Sequence, residues 1–134
     1  ASRAKALDNL ASHAAFDFEL KGIGCFGSAR SPRVIWAGVA MPNPSLSRLH
    51  KACEDVLSPL GFPPQGRAYA PHLTLGRVKD FHAGRRITEA VEELRAQASG
   101  SLVQAAEHIT LFQSILRPQG SQYVATHKVV LAKG

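Results

Sequence analysis

Cysteine is scarce in the sequence, and so are long apolar runs. The two cysteines, Cys25 and Cys53, form neither a C-x-x-C pair nor a disulfide framework. This spacing indicates no thiolate zinc site, and it favours a reduced, cytoplasmic setting. The longest apolar run, residues 34–41, is far shorter than the ~20 residues that a membrane span requires, and no signal-peptide pattern opens the chain. We therefore expect a soluble protein with no membrane partner.

Acidic residues are also few compared with basic ones. The 134 residues include 10 Asp and Glu against 16 Lys and Arg, which gives a formal net charge of +6 at pH 7. This modest excess favours polyanionic partners, with nucleic acid or phosphorylated small molecules ahead of membranes. Because 45% of the residues are hydrophobic, the chain can bury a core. Its length fits a single domain over residues 1–134.

Hydrophobic periodicity predicts the element order α-β-β-α-β-α-β-β, which is typical of an α+β fold with mixed or antiparallel sheets flanked by helices. The predicted helices cover residues 2–13, 45–57 and about 87–98, the last ended by Ser99 and Gly100. The predicted strands cover residues 16–21, 34–40, 69–78, 102–116 and 122–131.

Three local patterns add detail to this order. The glycines at 22, 24 and 27 predict a turn or an irregular strand after the first strand. The continuous apolar run over residues 34–40 predicts a strand that is buried on both faces. The loop over residues 117–121 predicts a hairpin, with Gly120 available for a positive φ angle.

The tetrapeptide His72-Leu73-Thr74-Leu75 carries the clearest chemical signal. Side chains alternate along a strand, so His72 and Thr74 are predicted to share a face. An imidazole takes up or releases a proton near neutral pH, and a neighbouring hydroxyl can donate to a phosphate oxygen. The alternative is a structural histidine and threonine that alternate by chance, because H-x-T is a short pattern.

The residues around this tetrapeptide resemble a known family. Pro71 to Val78, PHLTLGRV, resembles the second signature of the two-histidine (2H) phosphoesterases, and among them of the RNA 2′,3′-cyclic phosphodiesterases once named 2′-5′ RNA ligases. Residues 16–26 resemble the strand that leads to the G-x-F turn of this family, and residues 32–39 resemble its next strand. Residues 111–116 and 120–123 resemble its closing hairpin. The resemblance runs from residue 3 to residue 131 and implies a fold of two lobes.

The family's first H-x-T-x signature has no counterpart ahead of the predicted first helix. The signature would precede Ser2, and the sequence begins at Ala1 without an initiator methionine. We therefore expect that the N-terminal strands, which carry the family's other catalytic histidine, are missing from this chain.

A second H-x-T pattern, His108-Ile109-Thr110, is a candidate source of a second catalytic histidine. In the family pattern this position belongs to the strand before the closing hairpin, so an ordinary strand with one solvated face is the favoured interpretation. The other histidines are interpreted as surface or structural residues: His13, His50, His82 and His127.

The resemblance implies a role for three residues. His72 takes the role of general base and Thr74 that of phosphate ligand. A family-typical Arg stands at Arg77, which implies phosphate binding. In a regular strand, however, Arg77 lies an odd number of residues from His72 and points to the opposite face, which leaves a structural ion pair as the alternative. No metal and no cofactor are expected.

The resulting hypothesis is an enzyme, an RNA 2′,3′-cyclic phosphodiesterase. It opens the cyclic phosphate to a 2′-phosphate without a metal ion, and reversible 2′-5′ RNA ligation is a possible second reaction. The substrate is RNA with a 2′,3′-cyclic phosphate end, or a small cyclic nucleotide. The alternative is a catalytically incomplete phosphate- or RNA-binding module on the same fold. A monomer is expected, and a dimer is the alternative if a second chain supplies the missing lobe.

Overall fold

The structure, a computed structural model, describes residues 2–79, 81–97 and 100–133, with the side chain of Phe81 left out. The three helices are α1 (Ser2–Asp8), α2 (Pro44–Leu57) and α3 (Gly84–Gln97). The six strands are β1 (Phe16–Gly27), β2 (Pro32–Val39), β3 (His72–Arg77), β4 (Ser101–Ala106), β5 (His108–Arg117) and β6 (Gly120–Val130). Short 3-10 turns cover Asn9–Ser12, Ser58–Leu60 and Phe81–Ala83.

The chain divides into two compact units. The first, here called the terminal unit, comprises Ala1–Asp17, Asn43–Arg67 and Ala105–Gly134. The second, here called the central unit, comprises Phe18–Pro42 and Ala68–Gln104. Helices with antiparallel strands confirm the predicted α+β class. The single domain over residues 1–134 stays a prediction.

The core of the terminal unit lies between the two helices α1 and α2 and the hairpin β5–β6. The local sequence explains where helix α2 begins. Asn43 accepts a hydrogen bond from Leu46 N through Oδ1 at 3.1 Å, and Pro44 occupies the first turn, where no N–H is needed. The buried side chains come from α1, the 3-10 turn after it, α2, and the end of β6 with the residue that follows: Leu7, Leu10, Leu49, Val129 and Leu131.

The hairpin β5–β6 is the element that the sequence predicts best. Its strands pair antiparallel from His108 opposite Val130 to Arg117 opposite Gly120. Gly120 has φ 127°, which confirms the expected use of a positive φ angle in the turn.

The central unit is a four-stranded sheet in the order β3-β2-β1-β4, with α3 on one face. Arg95 Nε of α3 donates to Ile23 O at 3.0 Å, and Thr88 Oγ1 donates to Ala29 O at 2.7 Å. Ile23 and Leu94 line a cavity of about 420 Å³ between this helix and the sheet. These contacts place α3 over the face of the sheet that carries Ile23.

Of the turn and the irregular strand predicted at residues 22–27, the structure has the irregular strand, because β1 continues through the glycines to Gly27. Gly22 adopts φ 81° where the register between β1 and β2 shifts, so it forms a bulge within the strand. Gly24 has a different reason. A Cβ built there would come within 2.5 Å of Trp36 Cη2, so the indole requires the missing side chain.

Two strand predictions also differ from the structure. The strand β2 is only half-buried over residues 34–39, because α3 covers just one face of its sheet. The predicted strand over residues 102–116 is two strands, which separate at Glu107. Strand β4 belongs to the four-stranded sheet and β5 to the hairpin. The third helix ends at Gln97, and the Ala98 and Ser99 that were expected to finish it lie outside the described residues.

We expect Gly24→Ala to lower the free energy of unfolding by about 1–3 kcal/mol, because the added methyl group must displace the indole of Trp36 from a packed contact. The matched control is Gly76→Ala, a strand position in the same sheet with no atom within 4 Å of the added Cβ. The control should change stability by less than about 1 kcal/mol. Urea unfolding followed by the fluorescence of Trp36 measures both, and equal stabilities would contradict the packing account.

Candidate functional site

Strand β3 carries the H-x-T pattern along an edge of the four-stranded sheet. His72 pairs with Gly38 of β2, and Thr74 pairs with Trp36. Directly opposite residues of paired strands project to the same side. Gly38 and Trp36 are two residues apart on a strand without an irregularity between them, so His72 and Thr74 share a face, as the alternation predicts. Both side chains are exposed.

A bulge in β3 changes where Arg77 points. The pairs shift from Trp36 opposite Thr74 to Ile35 opposite Gly76, which leaves Leu75 as an extra residue. After this extra residue the alternation is inverted. Arg77 pairs with Val34, which is two residues from Trp36 on β2.

Arg77 therefore lies on the same face of the sheet as His72 and Thr74. The opposite face, expected for a regular strand, is wrong because the strand is not regular. Among the described residues, Arg77 forms no ion pair. Arg77 is five residues from His72, or about 16 Å along a strand. The guanidinium therefore approaches the imidazole only if the Arg77 side chain extends along the face.

The imidazole of His72 has a defined orientation. Its Nδ1 lies 2.7 Å from the carbonyl oxygen of Ala70. A carbonyl oxygen only accepts, so the nitrogen Nδ1 carries the proton and donates it. In the neutral ring the lone pair is then on Nε2, which is the nitrogen that remains available to a ligand.

Aromatic rings extend this face across the sheet from His72. The ring of Phe26 meets the imidazole edge-on, with centroids 4.7 Å apart and planes at 88°. Trp36 follows Phe26 at 5.4 Å between centroids. The indole lies over Gly24 and beside Gly38, whose missing side chains leave room for it. The indole N–H is buried and has no acceptor within the part of the chain that the structure describes.

The site thus combines a base, a hydroxyl and a guanidinium on one face, next to a row of aromatic rings. Such a set can accept a proton from water and bind a phosphate anion. The sequence predicted roles for His72, Thr74 and Arg77. It did not predict that Phe26 and Trp36 lie beside them. The spacing of Gly24 and Phe26 was a signal for this arrangement, because a glycine in a strand indicates close approach by another group.

The second H-x-T pattern is at the start of β5 in the terminal unit. Ile109 and Leu111 pack against the buried core of this unit. His108 and Thr110 alternate with them and pair with Val130 and Lys128, so both lie on the other face of the hairpin. The catalytic role considered for His108 stays a prediction.

Two of the remaining histidines contact carboxylates. His127 Nε2 lies 2.7 Å from Asp8 Oδ1, and His50 Nδ1 lies 3.4 Å from Glu54 Oε1, one turn along α2. These contacts agree with the surface or structural interpretation given to both.

Burial raises the pKa of both cysteine thiols, because it disfavours the charged thiolate. Desolvation raises the pKa of Cys25, while the charge of Arg95 acts in the opposite direction and that of Glu92 raises it further. Desolvation likewise raises the pKa of Cys53, helped by the charge of Glu54. Both cysteines are therefore poor nucleophiles.

Neither a metal cluster nor a membrane span is found within residues 2–79, 81–97 and 100–133. These residues contain no group of three or more His, Cys, Asp or Glu side chains that could hold a metal ion. Their helices also lack the length and apolar character needed to cross a bilayer.

Sequence comparison identifies the family. The sequence model of the 2′-5′ RNA ligase superfamily matches residues 2–102. This chain belongs to that superfamily. The match includes the whole of the face described above, from Phe26 to Arg77.

Two curated relatives carry the same name. The chain is 33% identical over 117 residues to the RNA 2′,3′-cyclic phosphodiesterase of Aeropyrum pernix, which covers 87% of the chain and 65% of that protein. It is 37% identical over 105 residues to the protein of the same name from Methanocaldococcus jannaschii. This alignment covers 78% of the chain and 58% of that protein. The chain thus spans about three fifths of the length of these relatives.

Solved structures share the fold. TT0787 of Thermus thermophilus aligns with a TM-score of 0.71 and 24% identity, covering 98% of the chain and 69% of that structure. E. coli LigT complexed with NADP+ aligns with a TM-score of 0.64 and 24% identity, covering 99% and 70%. The likeness to these structures confirms the expected fold.

We expect the neutral imidazole of His72 to be protonated at Nδ1, because this nitrogen donates to Ala70 O. Nitrogen-15 NMR of the histidine side chains, at a pH where His72 is neutral, distinguishes the two tautomers. The His72→Ala variant assigns the signal. A neutral ring protonated at Nε2 would contradict the hydrogen bond.

Proposed function

We propose that the protein hydrolyses RNA 2′,3′-cyclic phosphate ends to 2′-phosphates without a metal ion, with His72 as the general base. The observation that carries the proposal is the orientation of His72, which commits Nδ1 to Ala70 O and leaves Nε2 free to accept a proton. The names of the curated relatives support the substrate. Membership of the 2′-5′ RNA ligase superfamily supports the reaction class.

The proposed reaction begins at Nε2 of His72. This nitrogen takes a proton from water while the water oxygen attacks phosphorus. The bond between phosphorus and the 3′ oxygen breaks, and the 3′ oxygen receives a proton from a second acid. The resemblance gives that acid role to the histidine of the other H-x-T-x signature. The product keeps its phosphate on the 2′ oxygen. In 2′-5′ RNA ligation a 5′ hydroxyl would take the place of water: its oxygen attacks phosphorus, its proton goes to Nε2 of His72, and the 3′ oxygen leaves with the proton of the second acid.

Thr74 and Arg77 are proposed to bind the phosphate. Thr74 is two residues from His72 on the same face, so its hydroxyl can donate to a non-bridging oxygen beside the point of attack. Arg77 reaches that face because of the extra residue Leu75. Its guanidinium supplies positive charge where negative charge accumulates in the transition state.

The proposed partners follow from the same face. The net charge of +6 favours a polyanion such as RNA, and a small cyclic nucleotide offers the same ring to His72. The exposed position of His72 and Thr74 on an edge strand admits the end of a long substrate. Action in the cytoplasm as a monomer is part of the proposal.

In a chain that includes the other H-x-T-x signature, we expect His72→Ala to lower the turnover of an oligoribonucleotide with a 2′,3′-cyclic phosphate end by about 10²–10⁴, because one member of an acid–base pair is removed. The assay contains EDTA and detects the 2′-phosphate product. His50→Ala, which removes the ion pair with Glu54 on α2, is the matched control and should retain the activity of the parent.

Three other outcomes have distinct meanings. Equal turnover by the parent and His72→Ala would reject the proposed base. Loss of turnover in EDTA that zinc or magnesium restores would reject metal independence. Salt-sensitive RNA binding without turnover in the parent would instead favour the phosphate-binding module. A further variant, His108→Ala, tests whether the second H-x-T pattern supplies the acid.

We expect Arg77→Ala to raise KM for the cyclic phosphate two- to fivefold, since an exposed charge pair contributes up to about 1 kcal/mol. Arg77→Lys should recover part of this loss because the charge remains. Arg86→Ala, which removes an exposed charge from α3, is the control. Steady-state kinetics at two salt concentrations measure the effect, which should shrink at high salt. Equal KM values for Arg77→Ala and Arg86→Ala at low salt would remove Arg77 from the site.

A further inference from the structure

We propose that Phe26 is a positioning residue, which holds the imidazole of His72 in the orientation that presents Nε2 to the substrate. The inference rests on the proposed role of His72 as general base. It adds a residue of β1 to a site otherwise built on β3, and it gives a reason for the row of aromatic rings on this face.

One hydrogen bond is a weak restraint on an exposed imidazole. The ring of His72 rotates about a torsion with broad minima, and water competes for Nδ1 because the side chain is exposed. Rotation of the ring by half a turn exchanges Nδ1 with a carbon atom and moves Nε2 to the other side. The bond to Ala70 O resists this rotation only while it is formed.

The ring of Phe26 supplies the second restraint. Its centroid lies 4.7 Å from that of the imidazole, and the planes are at 88°. This edge-to-face arrangement is a preferred geometry for aromatic pairs. Two contacts, the hydrogen bond to Ala70 O and the edge-to-face contact with Phe26, together restrain the plane of the imidazole where either alone leaves it free to turn.

Phe26 can act in this way only if it is itself fixed. Trp36 packs against it at 5.4 Å between centroids. The indole in turn has no space to move toward the sheet, because it lies over Gly24 and beside Gly38. The restraint on His72 therefore passes through rings that are anchored on the backbone of β1 and β2.

The position of Phe26 on the sheet agrees with this role. Phe26 pairs with Val34, which also pairs with Arg77, so the three residues share the face of the site. The phenyl ring is 36% exposed. A core-packing role alone would not require an aromatic ring at this exposed place, and a leucine would fill the same position without the edge-to-face contact.

The test compares Phe26→Leu, which removes the ring, with Phe26→Tyr, which keeps it. We expect Phe26→Leu to lower kcat about tenfold or more with KM unchanged, because a displaced base affects the chemical step and not binding. Phe26→Tyr should restore kcat to within about twofold of the parent. Phe62→Leu, which removes the ring under Arg3 in the terminal unit, is the matched control and should behave as the parent.

A second readout does not depend on activity. Nitrogen-15 NMR of the neutral His72 ring should show Nδ1 protonated in the parent and in Phe26→Tyr, and a mixture of the two tautomers in Phe26→Leu. A general loss of packing would leave no such selective change at one histidine. If Phe26→Leu does not fold, Phe26→Met replaces it, since a flexible unbranched chain fills the space without a flat ring.

The outcomes separate this inference from the proposed function. Unchanged kcat and unchanged tautomer in Phe26→Leu would reject the positioning role, as would equal losses of kcat in Phe26→Leu and Phe26→Tyr. Full activity in His72→Ala would reject the proposed function instead, while the NMR comparison would still report whether Phe26 orients the imidazole.

Discussion

The pairing of β3 with β2 is the constraint on which the rest of the site depends. It places His72 opposite a glycine and Thr74 opposite the indole of Trp36, and its one irregularity at Leu75 brings Arg77 to the same side. A shift of one residue in this register would turn every one of these side chains to the face that α3 covers. The chemistry of the site is thus a property of main-chain hydrogen bonds as much as of the side chains that they orient.

Glycine has an unusual part in this arrangement. At Gly24 and Gly38 the absence of a side chain lets the single tryptophan lie across the sheet, and Phe26 and His72 follow in the same layer. The bulky residues are therefore accommodated by their small neighbours on adjacent strands. The layer links three strands, so the imidazole of His72 contacts rings from the middle of the sheet although it stands on the edge.

Sequence periodicity predicted the face shared by His72 and Thr74, because a two-residue period is a local property of a strand. It placed Arg77 on the wrong face, because a bulge depends on the partner strand, although Gly76 beside the extra residue is a recognisable sign of one. The glycines of β1 left a turn and an irregular strand as alternatives for a similar reason, since the group that requires Gly24 is on another strand. The separation of β4 from β5 at Glu107 carries no glycine or proline signal, because the change of sheet is decided by tertiary packing.

The edge position of β3 has a consequence for local stability. An edge strand is hydrogen-bonded on one side only, and β3 also exposes Leu73 by 49% and Leu75 by 56%. Such a strand contributes little buried surface, and we expect segments of this kind to open at low free energy. The residues proposed for catalysis are therefore among the first to lose their main-chain partners in local opening. A substrate that bridges His72, Thr74 and Arg77 would keep β3 paired with β2 during the reaction, when the register determines where these side chains lie.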